Sequence, residues 1–368
     1  MNKLQIGFWA GFVLVLCLFF YLLNDILLPF VIGFALAYFL DPVADQIEKW
    51  GVPRGLATLL VLFGFLLVLL TIGLAFWPIL ADQASSFIKN LPQLIDKALN
   101  TLLPWVDNLM TRVSSMTGGG TVEPKTALAG IADKGGQWML GFITGILNQG
   151  LALFNLLALL FVTPVVAFFL LRDWDLIVAR IDSWLPRQHA ETVRARAREI
   201  DYVLSGYLRG QALVAIILAA MYAIGWSIVG LHYALLLAVV GGVLAFLPYV
   251  GAAITVTLAV AIGIGQFWPD YLSVGMVFGV YVIVQSLEGN FITPKLVGDR
   301  VGLSALWVIF AMMAGGSLLG ILGILLAVPV AAILGVLLRA GLKRYKDSQL
   351  YSDDTQPAPP PPASGDPA

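Results

Sequence analysis

A succession of long apolar segments constrains this chain more than any other feature of its sequence. One of them, Gly55 to Leu80, contains no charged residue and includes the interfacial pair Trp77-Pro78. A helix needs about 20 apolar residues to cross a bilayer, where the backbone must satisfy its own hydrogen bonds. Only 12% of the residues are charged, against about 25% in soluble proteins, and 60% are hydrophobic. The sequence therefore predicts an all-α, polytopic membrane protein.

The apolar segments come in two lengths and predict about eight membrane segments. The shorter ones are single spans, and two others are too long for one crossing. The single spans are Ile6–Leu23, Ile26–Leu40, Gly55–Leu80, Leu151–Leu171, Gln211–Gly230 and Trp268–Leu287, and the long segments are Tyr233–Ile264 and Ser304–Leu338. The first run resembles a signal peptide but lacks a small-residue cleavage site, so it is predicted to stay as a membrane helix. Asp41-Pro42 is predicted to close the second span.

Both long segments are predicted to be interrupted. As one helix, Tyr233–Ile264 would run about 48 Å, against about 30 Å of hydrocarbon. Pro248 lacks an amide hydrogen and Gly251 weakens a helix, which predicts a break between them. Ser304–Leu338 carries several glycines and Pro329. Paired interrupted segments are typical of transporters that bind their substrate at mid-membrane, although chance similarity between glycine-rich helices is the alternative.

Composition divides the chain into five parts. They are the first three spans (1–80), a polar helical hairpin (81–150), the fourth span with an arginine-rich helix (151–209), a transport core (210–346) and a Pro-rich, disordered tail (347–368). Apolar residues of the 81–150 hairpin recur at helical spacing, and Pro92 and Pro104 are predicted to bend it. One interpretation is a solvated hairpin that packs on the membrane domain. The alternative is a hairpin that binds a partner or a second copy of the chain.

Basic residues predict the orientation in the membrane. Residues 172–209 carry seven arginines, which the positive-inside rule puts in the cytoplasm together with the N-terminus. The 81–150 hairpin then lies outside, and a basic cluster puts the C-terminus inside: Arg339, Lys343, Arg344 and Lys346. If both long segments are single crossings, Glu288–Leu303 lies outside; if both are re-entrant hairpins, it lies inside. Lys295 and Arg300 favour the hairpins.

The net charge, the cysteine and histidine content and the absence of known motifs argue against several classes of protein. The net charge of −1 argues against a nucleic-acid partner. The single cysteine, Cys17, allows no intrachain disulfide, and the histidines His189 and His232 are far apart, so no metal site is predicted. The sequence contains no phosphate-binding glycine loop, HExxH or GxSxG. It therefore predicts neither an enzyme nor a cofactor.

The polar stretch Val284–Leu303 is the leading candidate for function, because charge near a membrane span is costly unless it faces protein, water or another charge. Glu288 is the leading candidate for proton coupling, and Asp299 could serve in its place. A structural ion pair between Glu288 and Lys295 or Arg300 is the alternative. A solute pathway is predicted to include Pro248, Tyr249, Gly251, Gln285, Glu288, Asn290, Pro294 and Lys295, and structural or topological roles are predicted for Asp41, Arg172, Asp173 and Arg300.

Three segments resemble a known family. The polar stretch, the segment Leu247-Pro248-Tyr249-Val250-Gly251 and the segment Phe168–Asp173 look like signatures of the autoinducer-2 exporter family of bacterial permeases. The resemblance covers nearly the whole chain except the tail. It implies an inner-membrane location and homo-oligomers, pentamers being known in the family. It also implies export of autoinducer-2, a quorum-sensing signal, in some members and sodium/proton antiport in others.

The sequence thus predicts a secondary transporter that works by alternating access, in membrane lipid. In this hypothesis the first four spans and the 81–150 hairpin form an oligomeric scaffold, and the two interrupted segments form a mobile unit. The cargo would be a small polar solute, with a proton or sodium ion as the coupling ion. The alternatives are a cation/proton antiporter on the same fold and a non-transporting scaffold that binds a partner through the 81–150 hairpin.

Overall fold

The computed structural model describes residues 22–117, 150–188, 190–298 and 302–346. Most of the predicted first span, the second half of the 81–150 hairpin, Asp299, Arg300 and the tail lie outside the described residues. Within the described ranges the helices are α1 (Asn24–Lys49), α2 (Arg54–Thr117), α3 (Gly150–Ser183), α4 (Ala190–Val229), α5 (Ala234–Leu244), α6 (Val250–Phe267), α7 (Tyr271–Leu287), a π-helical turn (Glu288–Ile292), α8 (Thr293–Leu296) and α9 (Ala305–Lys346).

Six described stretches are long and apolar enough to cross a membrane. They are Ile26–Lys49, Arg54–Asn90, Ala190–Val229, Val250–Phe267, Tyr271–Leu296 and Ala305–Lys346. Their outward-facing side chains are large and apolar, as a surface in contact with lipid requires. The predicted class, a polytopic α-helical membrane protein, is confirmed.

The prediction that Asp41-Pro42 closes the second span is wrong, because α1 continues through Pro42 to Lys49. Proline cannot donate to the carbonyl four residues earlier, which here belongs to Tyr38. Arg209 of α4 supplies the missing donor, since its Nε donates to the Tyr38 carbonyl oxygen at 2.7 Å. A distant arginine therefore satisfies the carbonyl that Pro42 leaves free, and α1 continues past the proline.

The third span also differs from expectation at its end. The sequence predicted an end near Leu80 and a separate, bent helix beyond it, whereas α2 runs on to Thr117 with Pro78, Pro92 and Pro104 inside the helix. Each proline removes one backbone hydrogen bond without preventing the next turn from forming. At about 1.5 Å per residue, α2 is far longer than the membrane is thick. It therefore carries the chain well beyond the bilayer on the side away from Arg54.

Two hydrophobic cores organise the described helices. The first joins α1, α2 and α3 around Ala44, Val61 and Ala167, all of which are buried. The second is built on α4 to α7 around Trp226 and Val277, and Phe87 of α2 packs into it. Because α2 contributes to both cores, it links the first three described helices to the remainder of the bundle.

The first long segment is interrupted around Pro248, as predicted, and its two helices form a hairpin. Its arms, α5 and α6, meet side by side: a β-carbon placed on Gly241 would lie 3.0 Å from Thr255 Cγ2. With 11 residues, α5 is only about 16 Å long, too short for the roughly 30 Å hydrocarbon core. The hairpin formed by α5 and α6 therefore enters the bundle and turns back.

The second long segment folds back in the same way. Helix α9 contains a sharp kink at Leu319 and Gly320, where Gly320 has φ +57°. On either side of the kink the backbones of Gly315 and Gly323 touch, so neither position has room for a side chain. The α9 hairpin therefore has a Gly-to-Gly crossing where the α5–α6 hairpin has Gly251 against Leu244.

The hairpins decide which end of the bundle holds the polar stretch. Val203 of α4 packs with Val336 near the end of α9, and Leu303 joins this cluster. A β-carbon on Gly302 would also lie 3.3 Å from the guanidinium of Arg339. The arginine-rich half of α4, the end of the polar stretch and the basic end of α9 therefore lie at one end of the molecule, as the hairpin alternative requires.

A cysteine crosslink tests the α5–α6 hairpin. Gly241→Cys with Thr255→Cys, in a Cys17→Ser background, is expected to form a disulfide on mild oxidation. In a continuous helix these positions would be about 21 Å apart, whereas a disulfide needs β-carbons about 3.5–4.5 Å apart. The yield is read from the mobility shift of a protease-cut chain on a denaturing gel. Gly241→Cys with Thr257→Cys is the matched control, because Thr257 is exposed and is not among the atoms nearest to Gly241. Equal yields from the two pairs would contradict the hairpin.

Candidate functional site

The tip of the α5–α6 hairpin is a strained turn centred on Tyr249. Tyr249 has φ 63° and ψ −50°, and the amide of Val250 donates to the carbonyl of Pro248 at 2.7 Å. This is the rare form of γ-turn, which a non-glycine residue adopts only when its surroundings enforce it. Pro248 is half-buried, the Tyr249 side chain is exposed, and Gly251 is buried. A strained backbone at a helix break is typical of ligand-binding sites.

Gly251 is required by close approach, not by flexibility. A β-carbon at this position would clash with the carbonyl of Leu244, the last residue of α5. Pro248 cannot donate to that same carbonyl, and the Leu247 amide donates to it instead at 2.8 Å. The Pro248–Gly251 pair predicted from the sequence thus forms the turn itself.

Gln211 of α4 holds the hairpin tip in place. Its Nε2 donates to the carbonyl of Ala245 at 2.6 Å, and the side chain is 8% exposed. Ala245 follows the last residue of α5, so its carbonyl lies in the interruption between the two helices. An amide side chain at this depth satisfies a backbone group that lipid cannot.

Gln211→Met is expected to lower the thermal unfolding midpoint of the detergent-solubilised protein. The change keeps the volume of the side chain but leaves the Ala245 carbonyl without this donor. An unsatisfied buried polar group costs about 1–3 kcal/mol. Gln93→Met, the same replacement at an exposed position of α2, is the control and should leave the midpoint unchanged. A midpoint that stays the same in Gln211→Met would show that this hydrogen bond contributes nothing to stability.

Glu288 begins the π-helical turn and is tied to α4 through two hydrogen bonds. Gln285 Nε2 donates to Glu288 Oε2 at 2.6 Å, and the hydroxyl of Tyr222 donates to Gln285 Oε1 at 3.1 Å. The ring of Tyr222 stacks on Trp226 with centroids 4.5 Å apart. A π-helical turn inside a helix frequently marks a functional site. The half-buried carboxylate is therefore positioned by a chain of neutral groups.

The described lysines, arginines and histidines include none that forms an ion pair with Glu288. Lys295, one of the two cations proposed from the sequence, is exposed, as is Pro294 in the first turn of α8. Asn290 is also exposed, and its Nδ2 donates to the Ser286 carbonyl at 2.8 Å. Arg300 and Asp299 lie outside the described residues.

Helix α4 brings the two predicted site segments to neighbouring positions. Gln211 binds the hairpin tip, and a β-carbon on the adjacent Gly210 would lie 2.6 Å from the carbonyl oxygen of Leu296. The backbone of α4 thus fits between the tip of the α5–α6 hairpin and the helical turns that follow Glu288. Among the described residues, no hydrogen bond joins Pro248–Gly251 to Glu288.

Asp41 belongs to a charge cluster between α1 and α2. Arg54 binds Asp41 at 2.8 Å, Glu48 at 3.0 Å and Asp45, and its Nε donates to the Leu171 carbonyl at 3.0 Å. One guanidinium therefore clamps the end of α1 against α2 and α3. The structural role that the sequence predicted for Asp41 stays a prediction.

Arg172 and Asp173 form a pair of neighbours at the surface of α3. The guanidinium donates to both carboxylate oxygens, at 2.7 and 2.8 Å, and this holds the pKa of Asp173 below its usual range. Arg172 also lies over the rings of Phe168 and Phe169, 5.4 and 5.0 Å from their centroids. These contacts stabilise the local surface of α3 and lie on a different helix from the hairpin tip and Glu288.

Sequence reasoning missed the residues of α4 that complete the site. Gln211 and Tyr222 both hydrogen-bond the predicted segments, and Gly210 lets one of them approach. The available signal was a lone amide in an apolar span, since polar side chains in membrane helices commonly bind neighbouring helices. The described residues contain no group of three His, Cys, Asp or Glu side chains suited to a metal ion.

Comparison with known proteins identifies the family of the chain. The sequence model described as "AI-2E family transporter" matches residues 11–343, which is nearly the entire chain. The chain belongs to the AI-2E transporter family. It is therefore a multi-pass membrane transporter, and the resemblance seen in three short sequence segments is confirmed over the full membrane domain. All residues of the hairpin tip, the π-helical turn and α4 lie within the matched range.

Bacterial relatives align with this chain over most of their own length. "Putative transport protein YrrI" of Bacillus subtilis is 29% identical over 87% of this chain and 88% of the relative. "Putative permease PerM" of Escherichia coli is 28% identical over 94% of this chain and 93% of the relative. "Putative transport protein YueF" of B. subtilis is 27% identical, covering 86% and 84%. The names of these relatives indicate transport and specify no solute.

Proposed function

We propose that this AI-2E family member is a secondary transporter that exports a small polar solute, autoinducer-2 being the foremost candidate, by proton-coupled alternating access. The observation that carries the proposal is the setting of the Glu288 carboxylate. Glu288 is a half-buried carboxylate on a π-helical turn, hydrogen-bonded to the neutral amide of Gln285 and paired with none of the described cations. A carboxylate in this setting can take up a proton without first breaking an ion pair.

The proposed solute pathway combines the strained hairpin tip with the segment around Glu288. Broken helices expose amides and carbonyls that can bind a small polar ligand where α-helical ends face a cavity. Pro248, Tyr249 and Gly251 form one side, and Gln285, Glu288, Asn290, Pro294 and Lys295 belong to the other. Because α4 contacts both sides, movement of either side against α4 would alter access to the solute.

The proposed setting is the bacterial inner membrane, with both termini in the cytoplasm. Support comes from the cluster of Val203, Leu303 and Val336, which lies at the same end as the arginine-rich half of α4 and the basic end of α9. The positive-inside rule assigns that end to the cytoplasm. The long extension of α2 then lies outside. A homo-oligomer built on α1 to α3 is part of the same proposal.

A cation/proton antiporter is the second candidate, and the same observation favours it. A carboxylate next to an amide oxygen offers the oxygen ligands that a sodium ion prefers, and a proton would compete for the same carboxylate. Under this reading Glu288 alternately holds a proton and a cation, and Gln285 changes partner when the cation enters.

Flux measurements in proteoliposomes test the two candidates together. The purified protein is reconstituted under an imposed pH gradient, with autoinducer-2 and sodium as separate probes. Gradient-driven autoinducer-2 movement supports the exporter, and sodium-elicited proton flux supports the antiporter. Empty liposomes provide the baseline. If neither probe moves above that baseline, both candidates are wrong for this chain.

A further inference from the structure

A polar cavity of about 300 Å³ lies at the opposite end of α4 from the arginine-rich half. It is formed where the extension of α2 meets the open end of the α5–α6 hairpin, away from the hairpin tip and from Glu288. The polar side chains that line it are Asn90, Gln93, Lys97, His232, Tyr233 and Gln266. A cavity of this volume is at the small end of the range for small-molecule sites, about 300–1,000 Å³.

The wall between α2 and the hairpin is held by specific contacts. Asn90 Nδ2 donates to the Tyr233 hydroxyl at 3.2 Å, and the rings of Phe87 and Tyr233 meet edge to face with centroids 5.3 Å apart. Gln83 Oε1 accepts from the Leu236 amide at 3.0 Å, so α2 also binds the first turn of α5. The Asn90, Gln83 and Phe87 contacts fix α2 against the base of the hairpin.

The floor of the cavity is equally ordered. Gln266 Oε1 accepts from the His232 amide at 2.8 Å, and Gln266 Nε2 donates to the Gly230 carbonyl at 2.8 Å. Both ends of this amide are therefore engaged with the loop between α4 and α5. Tyr233 and Ile262 are buried beneath the cavity. Tyr233 and Gln266 are thus held in place before a ligand binds, which reduces the entropic cost of binding to them.

The groups left to a ligand are mainly hydrogen-bond donors. The Tyr233 hydroxyl already accepts from Asn90, so its own hydrogen remains to be donated. The Lys97 ammonium is a cationic donor, and the Gln93 amide adds further donors. The described residues that line the cavity include no aspartate or glutamate. Donors around a lysine favour an oxyanion, since hydrogen bonds between charged partners are about twice as strong as neutral ones.

We propose that this cavity binds a small organic oxyanion, a carboxylate or phosphate carried on a hydroxylated body. The oxyanion binds Lys97, Gln93 and the Tyr233 hydroxyl, and the body of the ligand lies over Gln266 and Ile262. The bound molecule joins α2 to the α5–α6 hairpin. This site is separate from the proposed transport pathway, and its test is a binding measurement that does not depend on transport.

Calorimetric titration of the purified full-length protein in a non-ionic detergent tests the site. The probes are glucose 6-phosphate, inorganic phosphate and glucose, all at one ionic strength. Glucose 6-phosphate is expected to bind, inorganic phosphate to bind more weakly, and glucose to give no signal. Lys97→Gln is expected to weaken glucose 6-phosphate binding about tenfold or more, as the loss of a charged hydrogen bond implies. Lys89→Gln, at an exposed lysine of α2 that does not line the cavity, should leave it unchanged.

Two outcomes would overturn the proposal: glucose binding as tightly as glucose 6-phosphate, or equal binding by the Lys97→Gln and Lys89→Gln proteins. Absence of any glucose 6-phosphate or phosphate binding would also overturn it. A competition arm distinguishes the two sources of such an oxyanion. Displacement of glucose 6-phosphate by soluble short-chain phosphatidylglycerol assigns the site to a lipid headgroup, and failure to displace it assigns the site to a free solute.

Discussion

Glu288→Gln is expected to abolish the dependence of solute flux on a pH gradient while the protein remains folded. Glutamine has nearly the shape of glutamate, and its amide oxygen can still accept from Gln285 Nε2. It cannot take up or release a proton between about pH 4 and 10. Flux of autoinducer-2 in proteoliposomes, measured with and without the gradient, gives the ratio that should fall to about one in the variant.

Glu191→Gln is the matched control for Glu288→Gln. Glu191 is an exposed glutamate in the first turn of α4, where it binds Arg198 at 3.2 Å. Its replacement changes the same functional group outside the proposed pathway and should preserve the gradient response. If Glu288→Gln retains the wild-type ratio, Glu288 has a structural role only, and the proton-coupled proposal loses its central residue.

Tyr222→Phe tests the role of the Tyr222 hydroxyl separately from that of the Glu288 carboxylate. The change removes one hydroxyl and keeps the stacked ring, so Gln285 loses one partner while Glu288 keeps its own. A reduced flux with an unchanged gradient ratio would identify Tyr222 as a positioning residue. Loss of the ratio itself would make the hydroxyl part of the proton path.

The breaks in the long segments could be predicted because their causes are local. Pro248 removes a donor from the backbone, and Gly251 permits two helices to touch, so both act within a few residues of the turn. The length of each segment against the bilayer thickness gave the same result independently. Gly320 and the other glycines of Ser304–Leu338 predicted the second interruption in the same way. The polar stretch was equally visible, since charge beside an apolar span is rare.

The side chains that hydrogen-bond to the free backbone carbonyls could not be predicted, because they come from distant parts of the chain. Arg209 satisfies the carbonyl that Pro42 leaves free, 171 positions away from Tyr38 in sequence. Gln211 does the same for Ala245, and nothing in the local sequence links them. For this reason Pro42 looked like a helix end, and the α4 residues of the site were missed. The proposed pairing of Glu288 with Lys295 also failed to appear, because Lys295 faces solvent.

The two hairpins share a construction that limits how they can move. In each, a glycine backbone lies directly against the backbone of the other arm: Gly251 against Leu244, and Gly323 against Gly315. Contacts without intervening side chains leave no soft layer, so we expect each hairpin to move as a unit. Helix α5 also packs closely on α4, since a β-carbon on Gly242 would lie 2.8 Å from the Ala215 carbonyl oxygen.

Gly323→Ala is expected to destabilise the protein strongly, whereas Gly341→Ala on the same helix is expected to stabilise it slightly. A β-carbon on Gly323 would overlap the Gly315 carbonyl, and backbone atoms cannot swing aside as a side chain could. Overpacking typically costs 1–3 kcal/mol, and about 3 kcal/mol is expected here because the obstacle is backbone. Gly341 has open space around it, so alanine there should add about 0.5–1 kcal/mol of helix stability.

Helix propensity favours alanine over glycine at both positions. A loss of stability in Gly323→Ala with a gain in Gly341→Ala therefore cannot be attributed to helix propensity. The measurement is the midpoint of thermal unfolding in detergent, read from the monodisperse fraction on size-exclusion chromatography after heating. A higher midpoint for both variants would mean that Gly315 and Gly323 are not in contact and that α9 does not fold back at Gly320. A lower midpoint for Gly323→Ala alone would establish that the arms of the α9 hairpin meet backbone to backbone.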